Sequence, residues 1–226
     1  MAVTAGQLAP QEVQLWQASL QRDAATVQIF ETLLSEDELK RAKRFLSPVH
    51  QRRFIVARGI LRTLLGRYLV CEPRALKFLY AEHGKPYIED TDLNFNVSHS
   101  DEMAVYAFTR QAEIGVDIEK VETVFKAALA KRFFSNDEYE MLTALFGDQQ
   151  ERGFYRVWAR KEAIIKGLGE GLHIPLDSFS VSLEVMQQLK FSENIWHLQS
   201  FTVDPAYEAA FALSTPPKKI SQMIFE

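Results

Sequence analysis

Cysteine is almost absent: Cys71 is the single thiol in 226 residues. That excludes an internal disulfide and any cysteine-rich metal site. Following an apolar run, Cys71 is expected to be a small buried hydrophobe. Long apolar runs are also missing. None reaches the roughly 18 residues that cross a bilayer, and no basic segment leads into an apolar stretch as in a secretory signal. A cytoplasmic enzyme or binding protein with no membrane partner is therefore expected. Excess positive charge is lacking too. The net charge is −4, so the surface as a whole does not advertise nucleic-acid binding. Acids are missing from one window only. Between Leu39 and Cys71 there is none, while Lys40, Arg41, Lys43, Arg44, Arg52, Arg53, Arg58, Arg62 and Arg67 are basic. Such a run is either the solvated side of amphipathic helices or a local anion site for a phosphate-rich ligand or acidic partner.

What is present reads as an α+β protein long enough to bury a sizeable core. The first ten residues look like a loose tail, and Val13 to Leu20 alternates as a strand does. Ser35 and Glu38 form a capping box that opens a helix to about Phe45. A longer helix from about Val49 to Val70 turns Phe54, Ala57, Ile60, Leu61, Leu64 and Leu65 inward and its arginines outward. Short strands follow at Leu76–Tyr80, Asn94–Ser98, Met103–Thr109 and Ile114–Ile118, with a turn at His83 to Pro86. The second half repeats this order. Helices are expected at Val124–Phe134, Asn136–Phe146 (capped by Ser135) and Arg152–Leu168, the last stopped by Gly169 and Gly171. Strands are expected at Phe179–Val185, Trp196–Val203 and Ala206–Ser214. The division is 1–119 and 120–226, a pseudo-duplicated pair of halves without a provable sequence repeat.

Two short segments carry the chemistry. In GVDIE (Gly115 to Glu119), strand periodicity puts Asp117 and Glu119 on one face. In WARKEAIIK (Trp158 to Lys166), helical spacing stacks Trp158, Glu162 and Lys166. Asp117 lies between Val116 and Ile118, in a segment fit for burial. A buried unpaired carboxylate costs several kcal/mol, so it needs a cation, either a metal or a basic side chain. Glu119 beside it doubles the charge, and one of the pair would bind a proton near pH 7 without compensation. Alternatively, Glu119 marks the strand end and pairs with Lys120 or an arginine. Oxygen-only ligands favour Mg²⁺ over Zn²⁺, and three carboxylates leave positions for water and substrate phosphate. For Glu162 the simpler reading is an i,i+4 pair with Lys166. His99, between Ser98 and Ser100 at a strand end, offers donors where phosphate sites form. Lys85 sits on a stiff turn suited to an exposed anion contact.

Taken together, these segments resemble the Sfp-type 4′-phosphopantetheinyl transferases. The resemblance runs from about Trp16 to the C-terminal strands. It is carried by GKP (Gly84 to Pro86), FNVSHS (Phe95 to Ser100), GVDIE, KRFFSNDEY (Lys131 to Tyr139), WARKEAIIK and the stretch ending LDSFSV at Val181. It implies a pseudo-twofold pair of similar α+β halves with the active site in the cleft between them. It implies coenzyme A as donor, Mg²⁺ as cofactor, and an apo acyl or peptidyl carrier protein as acceptor. The 4′-phosphopantetheine arm moves to a carrier serine and adenosine 3′,5′-bisphosphate leaves. Asp117, Glu119 and Glu162 look like the metal-binding acids, and Lys166 resembles the lysine on the pyrophosphate. Ser98 and His99 resemble the contact to coenzyme A phosphate, Lys85 and Arg53 the contacts to its nucleotide end, and Arg41 falls near a basic position. The base is either Glu162 or a water held by the metal and an acid. Part of the basic run would hold nucleotide and the rest would meet an acidic carrier. A monomer is the simplest state. Two rival readings differ in class: a relative that binds coenzyme A or carrier without transfer, and a metal-dependent nuclease.

Overall fold

The computed structural model describes residues 8–191 and 193–226. The expected N-terminal tail lies outside these residues for positions 1–7. Leu8 belongs to the hydrophobic core. The chain folds as two similar α+β halves built on two four-stranded sheets.

In the first half, β1 (Glu12–Ser19) leads to α1 (Ala24–Leu33), α2 (Glu36–Ala42) and the long α3 (Pro48–Leu69). The sequence pattern assigned no element to the α1 stretch. It forms because Asp23 caps it, accepting from Thr26 N–H at 2.7 Å, and because Phe30 packs onto α3. A 3₁₀ turn (Pro73–Ala75) and the short pair β2 (Leu79–Tyr80) and β3 (Pro86–Tyr87) precede β4 (Leu93–Ser100) and β5 (Met103–Arg110). The second half holds β6 (Ile114–Lys120), α4 (Ala127–Phe133), α5 (Asn136–Thr143) and α6 (Asp148–Leu168). After them come β7 (Met186–Phe191), β8 (Asn194–Phe201), β9 (Tyr207–Leu213) and β10 (Lys219–Ile224). The sheet orders are β10-β1-β5-β4 and β6-β9-β8-β7. Thus β6, which closes the first half in the sequence reading, hydrogen-bonds in the second sheet. The unforeseen β10 returns to pair in parallel with β1.

The alternation along the strands sorts the core into layers. Trp16, Ala18, Tyr106 and Phe108 face α3. Val13, Leu15, Val105 and Ala107 face Val116, Ile118, Ala209 and Phe211 of the other sheet. Ala210, Ala212, Trp196 and Leu198 face α6. The site-bearing strands therefore lie between two long helices.

Three expectations are corrected. The segment Phe179–Val185 is not a strand, because its backbone is engaged by side chains. Val181 N–H donates to Glu138 Oε1 at 2.7 Å, the Phe179 carbonyl accepts from Lys161 Nζ, and Ser182 N–H donates to Gln187 Oε1 at 2.8 Å. Cys71 is exposed, since Val70 adopts a left-handed conformation (φ 52°) that ends α3 and turns the chain outward. The arginines of α3 do not all face solvent either. Arg58 and Arg62 are buried and both form ion pairs with the buried Glu38 at 2.7 Å.

Candidate active site

The site forms where β4, β6 and α6 meet. Gly115 makes the approach possible. A Cβ there would stand 2.0 Å from the Ala163 carbonyl oxygen and 2.2 Å from the Gly167 nitrogen. Without one, β6 lies directly on the last turns of α6, which puts Asp117 beside Lys166. Lys166 Nζ reaches Asp117 Oδ1 at 2.5 Å and Ser98 Oγ at 2.9 Å. Ser98 Oγ donates to the same carboxylate oxygen at 2.7 Å. Two residues on, Ser100 Oγ donates to Glu119 Oε2 at 3.2 Å. Asp117 and Glu119 thus share a face of β6. The ion pair of Lys166 is with Asp117, so the helical Glu162–Lys166 pairing gives way to a contact between elements. Trp158 packs among Phe133, Phe134 and Phe154.

The acids act on one another. Burial, then the charge of Asp117, pushes Glu119 up to about 7. Burial first, with Asp117 adding to it and Lys166 opposing it, raises Glu162 as well. Like charges gathered in a partly dry site bind protons unless a cation compensates. Asp117 Oδ2 is buried with no hydrogen-bond partner among the described residues, an acceptor without a donor. Among those residues no group of three or more His, Cys, Asp or Glu side chains is placed to hold a metal ion. An oxygen-only donor set with one unpartnered buried oxygen still fits a hard divalent cation. Such an ion is commonly held by one or two carboxylates, with water and phosphate completing its shell.

A cavity of about 280 Å³ opens beside these groups, lined by Lys85, Asn96, Glu162, Lys166 and Gly169 among others. Through Gly84, Pro86 and Val97 it adjoins a second, of about 220 Å³, that holds Arg41, Arg58, Tyr80 and His99. Arg41 and Tyr80 continue into a third space with Lys40 and Arg44. The cleft therefore runs from Glu162 and Lys166 to the basic run.

Of the other sequence-selected residues, His99 opens into the second cavity. Partial burial, then Lys166 and Arg53, hold its pKa below the usual histidine range. Lys85 is less exposed than its turn suggested. It bonds the Gly167 carbonyl at 2.8 Å and pairs with Glu113 at 3.0 Å, because the turn leans on the end of α6. Arg53 pairs with Asp101 at 2.5 Å.

Sequence reasoning did not single out the seam between the sheets. Asn96 Oδ1 accepts from Val116 N–H at 2.9 Å, and Ser98 and Ser100 hold the two acids. The available signal was the period-two polar alternation of Asn96, Ser98 and Ser100, which places all three on one face of β4.

Known proteins resemble this chain over both of its halves. Residues 14–111 match the family described as 4′-phosphopantetheinyl transferase, N-terminal. Residues 113–213 match the 4′-phosphopantetheinyl transferase superfamily. The chain is 39% identical over 209 residues to the 4′-phosphopantetheinyl transferase HetI of Nostoc sp., covering 90% of this chain and 88% of that protein. It is 38% identical over 212 residues to the 4′-phosphopantetheinyl transferase Sfp of Bacillus subtilis, covering 85% and 94%. With likeness of this extent spread over both halves, the chain belongs to the 4′-phosphopantetheinyl transferase family.

Proposed function

We propose that this protein transfers the 4′-phosphopantetheine arm of coenzyme A to a serine of an apo acyl or peptidyl carrier protein and releases adenosine 3′,5′-bisphosphate. One observation carries the reading: Lys166 pairs with Asp117, which faces Glu119 on β6, and Lys166 with Glu162 lines one end of a cleft whose other end is basic. A pyrophosphate at the acids and a nucleotide phosphate at the arginines match that polarity.

Asp117, Glu119 and Glu162 would hold Mg²⁺, which when bound neutralises charge on the phosphates. The remaining work falls to the chain. Lys166, held beside Asp117 and Ser98, would offer its ammonium to the pyrophosphate and offset the charge that builds there. His99 and the backbone at Ser98 hold the phosphate nearest the cleft. Lys85, Arg53 and Arg41 hold the nucleotide end. Glu162, whose proton affinity is raised by burial, either takes the proton of the carrier serine itself or orders a water that does. The serine oxygen then bonds to the phosphorus on the pantetheine side as the bond from that phosphorus to the bridging oxygen breaks. The electron pair leaves with adenosine 3′,5′-bisphosphate. The basic residues outside the nucleotide site would meet an acidic carrier, with affinity that falls as salt rises. Among the described residues no helix is long and apolar enough to cross a membrane. A monomer in the cytoplasm is the setting this reading assumes.

The test is mass spectrometry of apo carriers incubated with the protein, coenzyme A and Mg²⁺. The expected product gains one phosphopantetheine on a serine. Asp117→Ala and Glu162→Ala each slow transfer by about two orders of magnitude or more. An unchanged mass across acyl and peptidyl carriers would refute transfer, and near-wild-type rates in either variant would refute the roles of the acids.

A further inference from the structure

The Ser100 hydroxyl occupies a different position from its neighbour on the same face. Ser98 Oγ accepts from an ammonium, Lys166 Nζ, which a bound phosphate can draw away. Ser100 Oγ accepts at 3.0 Å from the backbone N–H of Lys120, which has no such freedom. A serine hydroxyl has one proton. With the amide on a lone pair, that proton is directed to Glu119 Oε2, 3.2 Å away. The amide belongs to the residue that follows Glu119, so a single hydroxyl ties side chain and backbone of β6 to β4. The contact crosses between the two sheets, where β4 and β6 meet through side chains and not through a shared ladder.

We propose that Ser100 is a positioning residue. It fixes the Glu119 carboxylate in one orientation beside Asp117 and Glu162 and so strengthens the hold of these acids on a divalent cation. This rests on the reading of the acids as a Mg²⁺ site. Groups that orient a metal-binding carboxylate commonly change metal affinity about 10- to 100-fold when removed. Ser100 itself touches neither cation nor substrate in this scheme.

The experiment is calorimetric titration of Mg²⁺ into the protein with coenzyme A present and no carrier, so that binding is read without turnover. Ser100→Ala is expected to weaken Mg²⁺ binding about tenfold, while Ser100→Thr, which keeps the hydroxyl, stays within about twofold of wild type. In a Glu119→Gln background, Ser100→Ala adds no further loss, because it acts through the carboxylate already removed. Wild-type affinity in Ser100→Ala, or losses that add fully in the double variant, would overturn the role of Ser100. Absence of Mg²⁺ binding by the wild type would overturn the metal reading beneath it. If melting curves show that Ser100→Ala fails to fold, Ser100→Cys, a weak donor of similar shape, replaces it with the same expectations.

Discussion

Glu119 is held in a conflict that its position imposes. Its carboxylate is largely removed from water and faces Asp117, and both effects favour the protonated form, up to about pH 7. The native state therefore binds a proton more tightly than the unfolded chain. That contribution to stability is complete below the ordinary glutamate range and is lost as pH rises through about 7. His99, with its pKa held down, has the opposite sign, so a difference between proteins is the clean measurement. In chelator, Glu119→Gln and wild type should melt at similar temperatures near pH 4. Near pH 8 the variant should melt higher, because it no longer ionises beside Asp117. An equal melting difference at both pH values would mean that Glu119 is not strained. Mg²⁺ with coenzyme A should stabilise the wild type at pH 8 by ordinary linkage.

The helices show how one local signal is used twice. Ser35 to Glu38 and Ser135 to Glu138 are both capping boxes, readable from their spacing alone. In each, the glutamate does more than cap. Glu38 takes Arg62 from α3, and Arg62 binds the carbonyls of Pro73 and Leu76 beyond that helix. Glu138 takes Lys161 from α6 at 2.8 Å, and Lys161 binds the carbonyls of Leu176 and Phe179. The two halves thus repeat a buried acid–cation clasp between a short helix, a long helix and the chain that follows it. Cutting one clasp leaves uncompensated charge in the core. Glu38→Gln, with Arg58 and Arg62 both left unmatched, should lower the folding free energy by about 3 kcal/mol or more, measured by urea denaturation. A change below ~1 kcal/mol would show that water or rearrangement satisfies both arginines. The clasp also explains why the basic run misled the sequence reading. Two of its arginines are internal struts, a use that charge counting does not distinguish from a solvated face.

Across the whole molecule, the first sheet is closed by the last strand. Residues 218–226 bring β10 alongside β1, place Phe225 in the core beneath α3 and let the Phe225 carbonyl accept from Arg22 at 3.0 Å. Ending the chain after Pro217 should therefore unfold the protein or lower its melting temperature by at least about 10 °C, although it removes nothing near the acids. A truncated protein that melts with the full-length one would show β10 to be dispensable. This return of the chain was not readable from pattern, because a short, half-exposed strand such as KISQMI carries no sign of which edge it will join.

Local pattern alone determined the long helices, most central strands and the sharing of one strand face by Asp117 and Glu119, because periodicity sets side-chain direction before any packing occurs. It also determined the motifs that tie the chain to its family. Tertiary structure alone decided that the ion pair of Lys166 is with Asp117, that Ser98 and Ser100 each grip one acid, and that Lys85 leans on α6. Those choices depend on β6 lying against α6 at Gly115 and beside β4 at a seam without a ladder. Residues distant in sequence meet there through packing that no single segment encodes.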